Sequence, residues 1–375
     1  MKQGRTTKVV KIGGFSHINS VCIGADNPIV IQTMWKDRFS NHLSFEDLQN
    51  TAQKIDNLAA LGCQILRFAV PDIKSAETLG NLAQMVKMPL VADIHFDYKI
   101  ALRCMDFPVA KIRINPGNIG SKDKVCAVLE KAAAGNIPIR IGINAGSLPS
   151  DLCKEVQDGL NVSSALVKAA QRELALFKEF GFTNFLVSMK ASGIADNIEA
   201  NRIISQVTDA PLHIGVTEAG PLAAGAARNT AALLTLLTEG IGDTIRVSLS
   251  DTMENEIIAA REIIAAACEL SQGSEHFKRL KRTGVKIISC PRCGRYGFDT
   301  HGFTNRWENR LYSIDKDMTI AIMGCEVNGP IEAKHAHLGI TGVGDKVLIF
   351  KHGKVIKTIT ADSADKIFNE ELEKL

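Results

Sequence analysis

The side chains whose spacing carries the most chemistry are Cys290, Cys293 and Cys325, with Glu332 following on the same stretch as the third of them. A Cys-x-x-Cys pair, here Cys290-Pro291-Arg292-Cys293, sets two thiolates on one tight turn, a spacing that grips a metal centre; Cys325 raises the ligand count to three. Structural zinc and iron–sulfur sites normally close with four Cys or His ligands. Three thiolates therefore leave a position open for chemistry or for a replaceable cap, and Glu332 is the nearest candidate. Zinc remains open on the cysteines alone, because His301, His335 or His337 could supply a fourth ligand.

The elements that must position these groups show a repeated unit. Short β-branched runs at 29–33, 65–70, 90–96, 110–115, 139–144, 184–190, 212–218 and 244–250 alternate with helical patterns. Eight such units predict a (β/α)8 TIM barrel within residues 1–272. Ser44 and Asp47 read as a capping pair before a face of Leu48, Ala52, Ile55, Leu58 and Ala59, and Gly62 ends that helix. Residues 164–180 and 254–270 read as further helices. The stretch 271–283 leads out of the barrel into a small α/β domain over 283–375. There, strands at 285–289 and 318–323 run into the cysteines, and a hairpin of 346–351 and 354–359 turns around His352-Gly353.

Catalytic groups of such a barrel lie at the C-terminal ends of its strands. Those ends offer Gln32, Arg67, Asp93, His95, Lys111, Arg113, Asn115, Arg140, Asn144, Ser188, Lys190, His213, Glu218, Arg246 and Ser248. Four arginines and two lysines converging on one mouth repel one another unless an anion sits among them, and arginine has the shape to grip phosphate bidentately. The expected guest is a small molecule with more than one phosphate. Asp93, Glu218 and His95 are the candidate partners or acid/base groups, and few acids stand at the same ends. No nucleotide-binding glycine motif follows a strand.

Composition fits this picture. Of 375 residues, 45% are hydrophobic and only 5% aromatic, as expected of an α/β protein. A formal charge of +3 argues for neither nucleic acid nor a membrane surface and suits a small anionic substrate. Nine cysteines, odd in number and scattered, suit a reducing compartment, six of them as buried small apolar side chains. The apolar run 221–237 is broken by Arg228 and Asn229 and does not read as a membrane span, so a soluble, cytoplasmic protein is expected.

Taken together the chain resembles the 4-hydroxy-3-methylbut-2-enyl diphosphate synthase family, bacterial two-domain type. The resemblance spans essentially the whole sequence. It rests on Pro28-Ile29-Val30-Ile31-Gln32-Thr33-Met34, Ala92-Asp93-Ile94-His95-Phe96, Arg113-Ile114-Asn115-Pro116-Gly117-Asn118, Arg140-Ile141-Gly142-Ile143-Asn144-Ala145-Gly146-Ser147, His213-Ile214-Gly215-Val216-Thr217-Glu218-Ala219-Gly220, Cys290-Pro291-x-Cys293-Gly294-Arg295 and Cys325-x-Val327-Asn328-Gly329-Pro330. It implies a [4Fe-4S] cluster on Cys290, Cys293 and Cys325 with Glu332 on the fourth iron. The implied activity is reductive opening and dehydroxylation of 2-C-methyl-D-erythritol 2,4-cyclodiphosphate, with electrons from flavodoxin or ferredoxin. A homodimer with an active site shared between subunits is also implied. The sequence departs from the family pattern at Ile331, at Arg292 and at Thr33-Met34-Trp35. Bottom-up chemistry agrees, with Arg67, Arg113, Arg140, Lys190 and Arg246 as the diphosphate grip. The alternatives are a pterin-binding barrel transferase with a structural zinc domain, which would be colourless, and a non-enzymatic electron carrier with a fully ligated cluster.

Overall fold

The computed structural model describes residues 5–39, 43–274, 278–281, 284–291 and 293–375. They fall into two compact units, Met1–Arg282 and Thr283–Leu375.

The first unit opens with an antiparallel hairpin, β1 (Val10–Gly13) and β2 (Ser20–Ile23), which the sequence periodicity had not disclosed. Eight parallel strands follow: β3 (Val30–Met34), β4 (Ile65–Ala69), β5 (Leu90–Ile94), β6 (Lys111–Ile114), β7 (Ile139–Asn144), β8 (Phe185–Lys190), β9 (His213–Ile214) and β10 (Thr244–Ile245). Their order is β8-β7-β6-β5-β4-β3-β10-β9, and a parallel bridge from Val187 in β8 to Leu212 beside β9 closes the ring. The expected barrel is therefore present. Ser44 caps the helix Phe45–Ala60 through a reciprocal bond with Asp47, and Leu48, Ile55 and Leu58 are buried, whereas Ala59 of the anticipated face is exposed.

Two strands are much shorter than the runs 212–218 and 244–250 suggest. Side-chain amides take over there from the ladder. Asn197 donates to the Gly215 carbonyl at 2.9 Å, while Asn229 accepts from Val216 N at 3.3 Å and donates to the Ser248 carbonyl at 3.4 Å. Gly215 permits the crossing, since a Cβ on it would stand 2.4 Å from the Arg246 carbonyl oxygen. The hairpin side chains Val10, Ile12, Ile18 and Ile23 join Val30, Ile65, Val91, Ala110 and Leu186 in one apolar cluster at the N-terminal ends of the strands, which seals the barrel floor.

The second unit is a five-stranded sheet of order β11 (Val285–Ser289), β12 (Met318–Met323), β13 (Leu338–Val343), β14 (Lys346–Lys351) and β15 (Lys354–Ile359). β13 was not anticipated; it pairs parallel with β12 and antiparallel with β14. Helices Thr300–Tyr312 and Ala364–Leu372 supply Phe303, Trp307 and Phe368 to the core. Phe303 and Phe368 meet edge to face at 5.1 Å, each buried ring worth about 1.5–3 kcal/mol.

Of the six cysteines expected as buried apolar groups, only Cys63 and Cys104 are; Cys22, Cys126, Cys153 and Cys268 are half-buried. Arg279, in the basic run that follows the barrel, is also buried and pairs with Asp243 at 2.6 Å. Arg292, Arg282 and Thr283 lie outside the described residues.

Candidate functional site

At the barrel mouth the strand-end residues do converge. Asp93 is buried, with Oδ2 3.2 Å from Arg67 Nε and Oδ1 accepting from Arg113 Nη1 at 2.9 Å; His95 Nε2 lies 3.7 Å away, its ring half exposed. Burial would raise the Asp93 carboxyl, but Arg67, Arg113 and Arg140 outweigh it and hold it at about 2. Arg67 is itself brought down to about 10 by burial, against the pull of Asp93, and donates from Nη2 to Met34 Sδ at 3.1 Å.

Room for these groups is written into two glycines. A Cβ on Gly142 would lie 2.3 Å from Arg113 Nε, and one on Gly215 would lie 2.9 Å from Lys190 Nζ. Asn144, with its amide oxygen turned toward Arg113, accepts from Nη2 at 3.2 Å. Asn115 is buried where β6 ends, Ser188 donates weakly to the Ile141 carbonyl, and Ser248 is half-buried beyond β10. Glu218 is exposed in a loop, its backbone in the left-handed region at φ 54°, a conformation costing a non-glycine residue on the order of 1 kcal/mol or more.

Among the described residues, several neighbouring groups lack partners. Lys111 Nζ and Arg140 Nε and Nη1 are buried without a hydrogen bond, and so is His213 Nε2, although Gln32 donates to its Nδ1 at 3.0 Å. Among the described residues, only one of the two His213 ring nitrogens is therefore bonded. Burial and the neighbouring cations push Lys111, Lys190, His213 and Arg140 toward losing protons. A guanidinium keeps its proton regardless, so the amines and the imidazole yield theirs first, and an anion placed among them favours their charged forms again.

Arg246 is different. Glu256, on helix Met253–Leu270, grips it at both Nε (3.3 Å) and Nη2 (3.2 Å). Strand-end reading missed this acid because it comes from a helix. The signal was an acidic residue on a buried helical face with Met253, Ile257 and Ala260.

In the second unit, Cys290, Cys293 and Cys325 line one cavity of about 170 Å³ together with Pro291, Arg295, Tyr296, Gly324 and Asn328. β11 delivers the first pair and β12 the third. Gly324 N donates to Cys290 Sγ at 3.0 Å, and Cys325 Sγ donates to Asn328 Oδ1 at 3.1 Å. Val327–Glu332 forms a π-helical turn that includes Pro330. Glu332 is exposed and does not line the cavity; it accepts from Asn328 Nδ2 and so is joined to the rim through one side chain. Ile331 is 66% exposed and is not part of the cavity lining, so this departure from the family pattern lies outside the cavity wall. His301, His335 and His337 do not line the cavity; His337 Nδ1 instead accepts from Thr319 N at 3.0 Å.

Comparison with known proteins covers both units. The GcpE TIM-barrel domain matches residues 14–261 and the GcpE protein C-terminal domain matches residues 286–374. A Treponema denticola protein named 4-hydroxy-3-methylbut-2-en-1-yl diphosphate synthase (flavodoxin) is 46% identical, with 100% of each chain covered. One of the same name from Treponema pallidum is 48% identical over 97% of this chain and 91% of its own. A third, from Thermodesulfovibrio yellowstonii, is 40% identical over 100% of both. On these matches, which run through the barrel and the thiol-bearing unit alike, the chain belongs to the GcpE family.

Proposed function

We infer that this protein is a 4-hydroxy-3-methylbut-2-enyl diphosphate synthase, an oxidoreductase that opens and dehydroxylates 2-C-methyl-D-erythritol 2,4-cyclodiphosphate with two electrons. The observation that carries this is the charge at the mouth. Among the described residues, Lys111, Arg67, Arg113, Arg140, Lys190 and Arg246 have Asp93 and Glu256 as the buried carboxylates acting on them, an imbalance that a bound diphosphate relieves.

The thiol cavity supports a [4Fe-4S] cluster on Cys290, Cys293 and Cys325, with Glu332 as the weaker fourth ligand. A void between three thiols, with a carboxylate one hydrogen bond from its rim, suits a larger inorganic group. That, together with family membership, favours this function over a pterin-binding transferase with structural zinc. When bound, such a cluster supplies single electrons and an iron able to polarise a carbon–oxygen bond.

The chain's own residues prepare the substrate. Asp93 holds Arg67 and Arg113 in place for the diphosphate oxygens, Arg246 arrives already aimed by Glu256, and Arg140 and Lys190 lend charge from the neighbouring strands β7 and β8. Asn115, Asn144 and Ser248 offer neutral hydrogen-bonding groups between the cations. Glu218 and His95, whose half-exposed ring turns Nε2 toward Asp93, are the groups proposed to hold a proton for a departing hydroxyl.

Flavodoxin, named for the relatives, or ferredoxin is the proposed donor, and the proposed assembly is a homodimer in which one subunit's thiol cavity serves the other's barrel. No helix among the described residues is long and apolar enough to cross a membrane, in keeping with the cytoplasmic location proposed. The test is protein purified without air. Iron and acid-labile sulfide should be present, and turnover of the cyclodiphosphate should need a reduced donor. Iron-free preparations with full activity refute the proposal.

A further inference from the structure

Glu256 gathers more donors than any other acid at the mouth. Beyond the two bonds from Arg246, it accepts from Thr33 Oγ1 in β3, from Leu249 N at 2.9 Å, and pairs with Lys36 Nζ at 2.9 Å. Lys36 in turn donates to the Leu249 carbonyl at 2.8 Å, tying the segment after β3 to the segment after β10. The carboxylate is 1% exposed, and although burial would raise it, Arg246, Thr33 and Leu249 together hold it below the usual range.

The geometry fixes what this does to Arg246. With Nε and Nη2 occupied by the two carboxylate oxygens, only the Nη1 side is left over. Nη1 lies 3.8 Å from Met34 Sδ, the same sulfur that accepts from Arg67 Nη2. One methionine sulfur thus sits between two guanidinium groups, one steered by Asp93 and the other by Glu256.

We propose that Glu256 is a positioning residue for the diphosphate grip: by forking the inner edge of Arg246 it presents the outer edge of that guanidinium beside Arg67, so that the two form one anion-binding pair. The proposal rests on the diphosphate function inferred above, and deepens it. It acts through Arg246 and requires no contact between Glu256 and the substrate. A planar bidentate grip leaves the guanidinium one orientation, whereas an unforked arginine samples many.

A double-mutant cycle read by inorganic pyrophosphate binding tests it, using the intact chain. Arg246→Gln is expected to weaken binding about tenfold. Glu256→Gln, which keeps the shape and an acceptor for Leu249 N, should weaken it by a similar factor alone and by less than about twofold in the Arg246→Gln background. Thr33→Val removes a different bond to the same carboxylate and should leave binding within about twofold of the parent. Equal losses from Glu256→Gln in both backgrounds, or a Thr33→Val loss as large as that of Glu256→Gln, overturn the proposal, since Glu256 would then serve the fold in general. Should Glu256→Gln fail to fold, Arg246→Lys keeps the charge but cannot accept the fork. It should bind pyrophosphate as poorly as Arg246→Gln, and binding like the parent overturns the proposal. An Arg246→Gln variant with unaltered affinity counts instead against the diphosphate grip itself, which separates the two failures.

Discussion

Asp93 Oδ1 accepts a hydrogen bond from Arg113 Nη1 at 2.9 Å, across neighbouring strands whose Cα atoms at these two residues are in register. The same carboxylate faces Arg67, so one acid sets two of the cations proposed to grip the substrate. Its folded value of about 2 lies below the ordinary 3.8. The stability it contributes, on the order of 2 kcal/mol, is therefore fully present above about pH 4 and lost as pH falls through about 2. Asp93→Asn leaves two buried arginines without their counter-charge and should cost about 3–5 kcal/mol at neutral pH while flattening the acid limb of the stability curve. Chemical denaturation across that range measures both. An acid limb parallel to the parent's would show that another carboxylate titrates.

Gly142 is a packing requirement of Arg113 and not of the turn geometry. In Gly142→Ala the new methyl would fall 2.3 Å from Nε and 2.7 Å from Nη2, so the guanidinium must move. Pyrophosphate affinity should drop about tenfold with the thermal transition nearly unchanged, as calorimetry and melting together would reveal. Unaltered affinity would mean that Arg113 binds equally well from a displaced position.

Lys111 is fully buried, and its amine has no partner. An unpartnered buried amine opposes folding, so Lys111→Met should raise stability by about 1–3 kcal/mol and, by removing charge beneath the mouth, weaken pyrophosphate binding. Both effects are read on one purified variant. A marked loss of stability would reveal a bonded amine.

The proposed cluster ligands fall into two classes that mutation can separate. Cys290→Ser should abolish iron and sulfide retention, because a strong thiolate is lost, whereas Glu332→Ala should keep the colour and lose most turnover. Iron assay and steady-state kinetics decide the matter. The opposite pattern would transfer the replaceable role to a cysteine.

Mixed dimers of Arg113→Ala and Cys325→Ser subunits should regain part of the activity that each parent lacks, measured after co-expression with two affinity tags. Persistent inactivity would argue for a site made within one chain.

Much of this was legible beforehand because it depends on spacing. Three of the β-branched runs close on a polar residue that the mouth presents, Asn115, Asn144 and Lys190, and β7, β11 and β12 begin and end at the anticipated residues. What periodicity could not show are groups whose role depends on distant partners. Glu256 reads as one polar position on an apolar helix until Arg246 is placed beside it. Asn197 and Asn229 look like ordinary helical residues until β9 and β10 are seen to end early. β13 escaped notice because Gly339 and Gly342 interrupt its apolar pattern; Gly339 is there to make space for the Phe350 ring, 2.1 Å from where a Cβ would stand. Glu332 was anticipated as a ligand from its place in sequence, yet its carboxylate is engaged by Asn328.

The N-terminal hairpin gives the barrel a consequence beyond its own packing. With Ile12 and Ile23 wholly inaccessible and the strand beginnings covered, the interior is a blind vessel. Water and protons bound for Lys111 or His213 then have the strand-end opening as their route. If the cyclodiphosphate binds there as proposed, it acts as its own stopper and isolates those groups from bulk solvent for as long as it stays.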